Sequence, residues 1–302
     1  MRSALIQVLR GFAMGSADLV PGVSGGTIAL VLGIYRRLVA AIRMGSGALS
    51  ALIRLDLAQF RRRFLAVEWR FLIPLLVGIG VAVFSLSSLI SRLLDTQPVR
   101  MAALFFGLVV ASILVGGRMI HQRDGLRMIV MAATAVAMFL LLGLSAGPVS
   151  DPSLPVYFGS GVVAICAMIL PGISGSFVLL MIGMYQSVIG AVSDRDFLVM
   201  GVFALGAVVG LALFSTLLDR LLRHHHDTVM AVLVGMMAGS LRVLWPWPEG
   251  TGGTSLGAPA GDIVVPVVAA VAGALFVLAL TGREEVIEEE AEDLGLVAEV
   301  DP

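Results

Sequence analysis

Residues 21–35, PGVSGGTIALVLGIY, return at residues 171–185 as PGISGSFVLLMIGMY, and both copies are embedded in apolar sequence. Aligned without a gap, 21–42 and 171–192 agree at eight of 22 positions: Pro, Gly, Ser, Gly, Leu, Gly, Tyr and Ala. The chain is an internal duplication, interrupted at the same place in each copy. Paired interruptions in the two halves of a hydrophobic chain point to the binding site of a transporter.

The flanking sequence identifies the solvent. Hydrophobic residues make up 58% of 302 positions and charged residues 14%, with a mean hydropathy of +1.00, well above the range of soluble domains. Apolar blocks at 70–94, 98–117, 125–146, 197–222, 228–245 and 262–282 are each close to the ~20 residues that cross a bilayer core, so six full spans are expected. The first apolar stretch contains Arg10, Asp18 and Pro21 and lacks a small-residue cleavage site followed by soluble sequence; it is not read as a removable signal peptide.

Several chemistries are excluded by composition. All 20 basic residues are arginine, so no lysine can serve as a Schiff base. The single cysteine, Cys166, forms no internal disulfide and no cysteine metal cluster; it is read as a small packing residue. The net charge is −1, and no nucleic-acid partner is expected. The acidic residues after Arg283 read as a solvated tail.

Arginine placement sets the topology. If 1–42 crossed once, Arg36, Arg37, Arg43, Arg54 and Arg61–Arg63 would lie outside, against the positive-inside rule. As a helix, 21–35 reaches about 22 Å, too short to cross, so 3–42 is read as a re-entrant hairpin. With 155–192 treated likewise, 16 arginines fall inside and four outside, namely Arg92, Arg100, Arg195 and Arg242. Each half then crosses an odd number of times, which makes the repeat inverted. A second alignment agrees: 88–112 matches 216–240 at constant offset and pairs Arg92 with Arg220, Gly107 with Gly235 and Ser112 with Ser240.

The expected fold is an all-α polytopic membrane protein with an inverted-topology repeat, each half a re-entrant helical hairpin plus three transmembrane helices. Residues 1–146 form the first repeat, with the hairpin at 3–42, a cytoplasmic amphipathic insertion at 43–68 and three spans. Residues 147–282 form the second, with its hairpin at 155–192, and 283–302 form an acidic cytoplasmic tail. In the insertion, Leu49, Leu52, Ile53, Phe60 and Phe64 share one helical face against Arg54 and Arg61–Arg63. Two readings stand: an interfacial helix drawn to anionic headgroups, or a basic loop that sets topology.

Pro at a first helical turn and Ser beside it are helix-start signals, so each Pro-Gly-x-Ser-Gly reads as a helix N-terminus. At membrane depth its free amides must face protein, a cavity or a ligand, and such an end suits an anion. Two ends, one from each leaflet, would converge on one anionic group. Ser24, Thr27, Ser174 and Ser176 add hydroxyls, while Gly25, Gly26 and Gly175 permit close backbone approach. A plain helix kink is the bland alternative; duplication favours the substrate site.

Asp18 precedes the first break, and Met168 holds the matching place in the second half. It is read either as a proton carrier or cation ligand, or as a cap on the second leg. Tyr35 and Tyr185 are read as interface anchors. Arg242, just before Trp245-Pro246-Trp247, either reaches into the cavity as a phosphate ligand or snorkels to the interface. His224–His226 read as solvated loop residues, because no partner ligands are evident in the sequence. Gly11/Gly15, Gly206/Gly210 and Gly235/Gly239 have small-xxx-small spacing, for internal packing or a homodimer face. No cofactor, metal or catalytic residue is expected.

With GSADLVPGVSGGT at 15–27, GIY at 33–35, PGISGS at 171–176, GMY at 183–185 and GSLRVLWPW at 239–247, the chain resembles the polyprenyl-phosphate transporter family over nearly its whole length. The resemblance implies a multi-pass protein of the cytoplasmic membrane, not an enzyme. It also implies return of undecaprenyl phosphate, the carrier lipid of cell-wall (peptidoglycan) synthesis, from the outer to the inner leaflet. The arginine map puts both termini in the cytoplasm, and Asp18, in its reading as a proton carrier or cation ligand, is the candidate for coupling to a proton or sodium gradient. A small-anion channel or an ion-coupled anion transporter is the alternative. A membrane lipid phosphatase fits worst, since no His/Asp constellation accompanies the broken helices.

Overall fold

The computed structural model describes residues 2–20, 22–144, 147–149, 151–248, 250 and 256–293. Among these are thirteen α-helices and no strand: α1 Arg2–Asp18, α2 Gly25–Val31, α3 Tyr35–Ile53, α4 Leu57–Ala66, α5 Trp69–Thr96, α6 Pro98–Arg118, α7 Gly125–Leu141, α8 Leu154–Ile169, α9 Gly175–Met181, α10 Tyr185–Ser193, α11 Phe197–His224, α12 His226–Ser240 and α13 Val264–Asp293. Set α4 aside and the remaining twelve form two matching runs of six. The breaks match as well. Gly22 and Gly172 turn the chain at φ +86° and +83°, a left-handed conformation that glycine adopts without steric cost.

Among the described residues, four helices are long and apolar enough to cross a membrane, namely α5, α6, α11 and the Val264–Gly282 part of α13, or five spans if the bent pair α9–α10 is counted as one. The protein is a polytopic membrane protein. The six full spans expected from hydropathy are not all present as single helices. With 17 and 15 residues, α7 and α12 reach about 26 and 23 Å, short of a ~30 Å core. Helix α12 ends at Ser240, and residues 241–244 run in consecutive turns before Trp245-Pro246. Helix α7 gives way to turns at Leu142 and Gly143.

Glycines set the helix contacts. A Cβ on Gly11 would strike the Leu75 carbonyl and one on Gly78 the Val8 carbonyl, which seats α1 on α5; in the second run Gly161 faces the Phe203 carbonyl and Gly206 the Phe158 carbonyl, which seats α8 on α11. The outer pair is exchanged between runs. Gly107 and Gly273 bring α6 onto α13, and Gly235 and Gly239 bring α7 onto α12. Gly11/Gly15, Gly206/Gly210 and Gly235/Gly239 thus meet partners within the chain, as close-packed small residues do in membranes. The main core lies where these bundles meet, around Val20, Leu30, Val109, Leu233, Met237 and Leu244.

The insertion departs from a single amphipathic helix. Helix α3 runs unbroken from Tyr35 through the expected boundary at 42/43 to Ile53, and Leu55 at φ +58° separates it from α4. Asp56 caps α4 by accepting the Gln59 amide at 2.9 Å, which favours a new helix start over continuation. Arg63 donates to the Gly47 carbonyl at 3.1 Å, folding α4 back on α3, and Leu57 and Leu65 remain exposed. Helix α13 continues through Asp293; the side chains of the expected acidic tail and residues 294–302 lie outside the described residues.

Candidate functional site

The two interrupted segments meet. Ser24 and Asp18 from the first run and Ser174, Gly175 and Ser176 from the second line one cavity of about 430 Å³, whose remaining wall is largely apolar and includes Met168, Leu179, Ile189 and Phe203. Ser24 and Ser174 are buried at its edge, whereas Asp18 and Ser176 are open to it. A few hydroxyls and one carboxylate set in an otherwise hydrocarbon wall suit an amphiphile better than a bare ion.

The two helix starts are not equivalent. At α2, Ser24 accepts the Gly26 amide at 3.1 Å and Asp18 accepts the Gly25 amide at 2.6 Å. Asp18 therefore caps the second leg, one of its two expected roles, with a carboxylate where an external anion would otherwise sit. At α9, Ser174 makes no side-chain cap, and its hydroxyl instead pairs with that of Ser176 at 2.8 Å on the cavity surface. Each helix has seven residues, not the fifteen of a leg from 21 to 35. Two turns sum few peptide dipoles; hydroxyls and individual amides carry recognition here. Pro171 lies in the turn ahead of α9, while Pro21 lies outside the described residues.

Three expected site residues hold the repeats together. Thr27, fully buried, accepts the Gly172 amide through Oγ1 at 2.8 Å. A Cβ on Gly26 would come within 2.8 Å of the Ile169 carbonyl, so this glycine lets α2 approach the end of α8. Tyr35 is buried and donates to the Ile169 carbonyl at 3.2 Å, which corrects its reading as an interface anchor. Ser24 also donates to the Met168 carbonyl at 3.4 Å. First-run hydroxyls thereby satisfy carbonyls left unpaired where α8 ends. Tyr185, by contrast, lines the cavity, as do Gly161, Ala164 and Ala207, which carry no polar signal in the sequence.

Arg242 is not brought to this cavity. The turn after α12 directs Val243 and Leu244 against Gly22, while the Arg242 guanidinium lies 4.7 Å from the Phe139 ring centre, a cation–π distance. It lines a separate cavity of about 350 Å³ with Phe106, Phe139 and Trp245. Cys166 packs its sulfur 4.0 Å from the Gly210 carbonyl. The histidine run also has unforeseen neighbours: folding brings His121 and Asp227 to His226.

A family model described as undecaprenyl phosphate translocase-like matches residues 14–255, a stretch that holds both motifs, Asp18 and Arg242. A polyprenyl-phosphate transporter of Vibrio cholerae serotype O1 is 42% identical over 242 residues, covering 80% of this chain and 77% of that one. A polyprenyl-phosphate transporter of Staphylococcus aureus is 34% identical over 258 residues, covering 80% and 86%. No solved structure matches.

Proposed function

This chain belongs to the undecaprenyl phosphate translocase-like family, whose named relatives are transporters and not enzymes, and on that premise we propose that it moves undecaprenyl phosphate from the outer to the inner leaflet of the cytoplasmic membrane. The carrier lipid would thereby return to cell-envelope synthesis. The observation that carries this reading is the shared cavity of Asp18, Ser24, Ser174 and Ser176 with its apolar wall. The phosphate takes the hydroxyls of Ser174 and Ser176, and the first prenyl units lie along Leu179, Ile189 and Phe203.

The transport cycle is alternating access by an inverted repeat. Support comes from the ends of matched helices. His121 and Gln122, just after α6, bond Asp227 at the start of α12, so α12 begins where its counterpart α6 ends. Arg100 near the start of α6 pairs with Asp262 just before α13 at 3.5 Å. The end that gathers His121, Asp227 and the Arg43–Asp219–Arg223 cluster is the cytoplasmic one by the positive-inside rule. The re-entrant hairpins are 3–42, entering along α1 and leaving through α2 and the start of α3, and 155–192, entering along α8 and leaving through α9 and α10; α9 and α10 bend by 111° at Ile182–Met184.

Asp18 couples the cycle to a proton or sodium gradient. A carboxylate beside a phosphate repels it unless protonated or cation-bound, so phosphate entry and charge neutralisation at Asp18 occur together. Proteoliposomes with undecaprenyl phosphate in one leaflet, scored for phosphate exposed on each side, test the function. Transfer that depends on the protein and is absent for inorganic phosphate is expected; uptake of inorganic phosphate without lipid transfer would replace this reading with an anion transporter.

A further inference from the structure

The loop between α6 and α7 and the start of α12 bring together three side chains that the phosphate cavity does not use. His121 Nδ1 and His226 Nδ1 each lie 3.3 Å from Asp227 Oδ1, and the three donor atoms all lie within 4.8 Å of one another. Bonds of about 2.0–2.1 Å in a tetrahedral site place neighbouring ligand atoms about 3.3 Å apart. Two edges of such a site are already present.

We propose that His121, His226 and Asp227 bind a divalent transition-metal ion such as Zn²⁺, joining the first half of the chain to the second. Two imidazoles and one carboxylate suit zinc, nickel or copper rather than magnesium or calcium, which take oxygen ligands. The carboxylate is oriented from behind: the His121 amide donates to Oδ1 at 3.1 Å and the Gln122 amide to Oδ2 at 3.0 Å, the outer contacts that fix a metal ligand.

The surroundings leave room for the ion. Arg123 folds back to donate to the Gly117 carbonyl at 3.0 Å. His121 is largely exposed, which leaves a side open to water and to exchange. The neighbouring His224 is engaged elsewhere, with Nδ1 2.8 Å from the Arg220 carbonyl of its own helix. Since His121 and Asp227 come from opposite halves, a bound ion would clamp the end of α6 to the start of α12.

Chelator-stripped protein in nanodiscs, titrated with Zn²⁺ by calorimetry, tests the site. One ion per chain is expected, with affinity lowered at least about tenfold by His121→Ala and by His226→Ala and unchanged by His224→Ala. Zn²⁺ should raise the melting temperature of the wild type and not of His121→Ala; that variant alters an exposed loop residue and carries the test even if His226→Ala does not fold. Binding that survives His121→Ala but is lost in His224→Ala would place the ion on the histidine run and overturn the proposal, as would the lack of stoichiometric binding.

Discussion

Asp18 and Met168 hold matching places ahead of the two short helices, yet only Asp18 bonds its helix: its carboxylate accepts the Gly25 amide at 2.6 Å, whereas the Met168 side chain lies over Gly175. One helix start is closed by an internal anion and the other faces the cavity. On the proposed function, this asymmetry assigns phosphate binding to the second half and charge sensing to Asp18 in the first.

Asp18→Asn separates these roles. Asparagine caps a helix about as well as aspartate, so the fold should be retained while the charge is lost. Headgroup binding should be unchanged or tighter, and gradient-driven transfer in proteoliposomes should fall severalfold. Transfer unchanged across a pH and sodium series would remove Asp18 from coupling.

The serines divide along the same line. Ser174→Ala and Ser176→Ala each remove a cavity hydroxyl, and a hydrogen bond to a charged group contributes about 1.5–3 kcal/mol, so affinity for a short-chain prenyl phosphate should fall roughly tenfold to a hundredfold with little change in melting temperature. Ser24→Ala also removes the cap on Gly26, at about 1 kcal/mol of stability. Equal stability losses in all three variants with unaltered affinity would make the motifs structural only.

Much of this was legible because the break motif is written twice and glycine spacing repeats with it. What the sequence left obscure are contacts across the repeats. Nothing in a single chain pairs Thr27 with the Gly172 amide or His121 with Asp227, residues 106 positions apart. A signal did exist in departures from the repeat: Thr27 aligns with Phe177 and Asp18 with Met168, and each polar member has a contact its partner lacks. Arg242 kept two readings because proximity to a membrane interface says nothing about which side of a helix end an arginine takes. The turn at 241–244 decides that.

Glycine packing predicts a contrast within single helices. Gly78 and Gly206 abut backbone of α1 and α8, whereas Gly80 and Gly201 have nothing within 4 Å of an added Cβ. Gly78→Ala and Gly206→Ala should each destabilise by about 1–3 kcal/mol through forced separation of helices. Gly80→Ala and Gly201→Ala should be neutral or stabilising, since alanine is the better helix former by about 1 kcal/mol. Thermal unfolding in detergent would show the difference, and equal effects at all four positions would contradict the glycine-set contacts.

Thr27 provides the sharpest division between binding and architecture. Its Oγ1 accepts the Gly172 amide in a fully buried setting. Thr27→Val keeps the shape and removes the acceptor, leaving a buried N–H without its partner at a cost of about 1–3 kcal/mol. Thr27→Ser restores the acceptor and should recover most of that loss. If Thr27 is a clip between repeats, Thr27→Val lowers the melting temperature while the folded fraction binds prenyl phosphate with normal affinity. A tenfold loss of affinity at unchanged melting temperature would instead return Thr27 to the phosphate site.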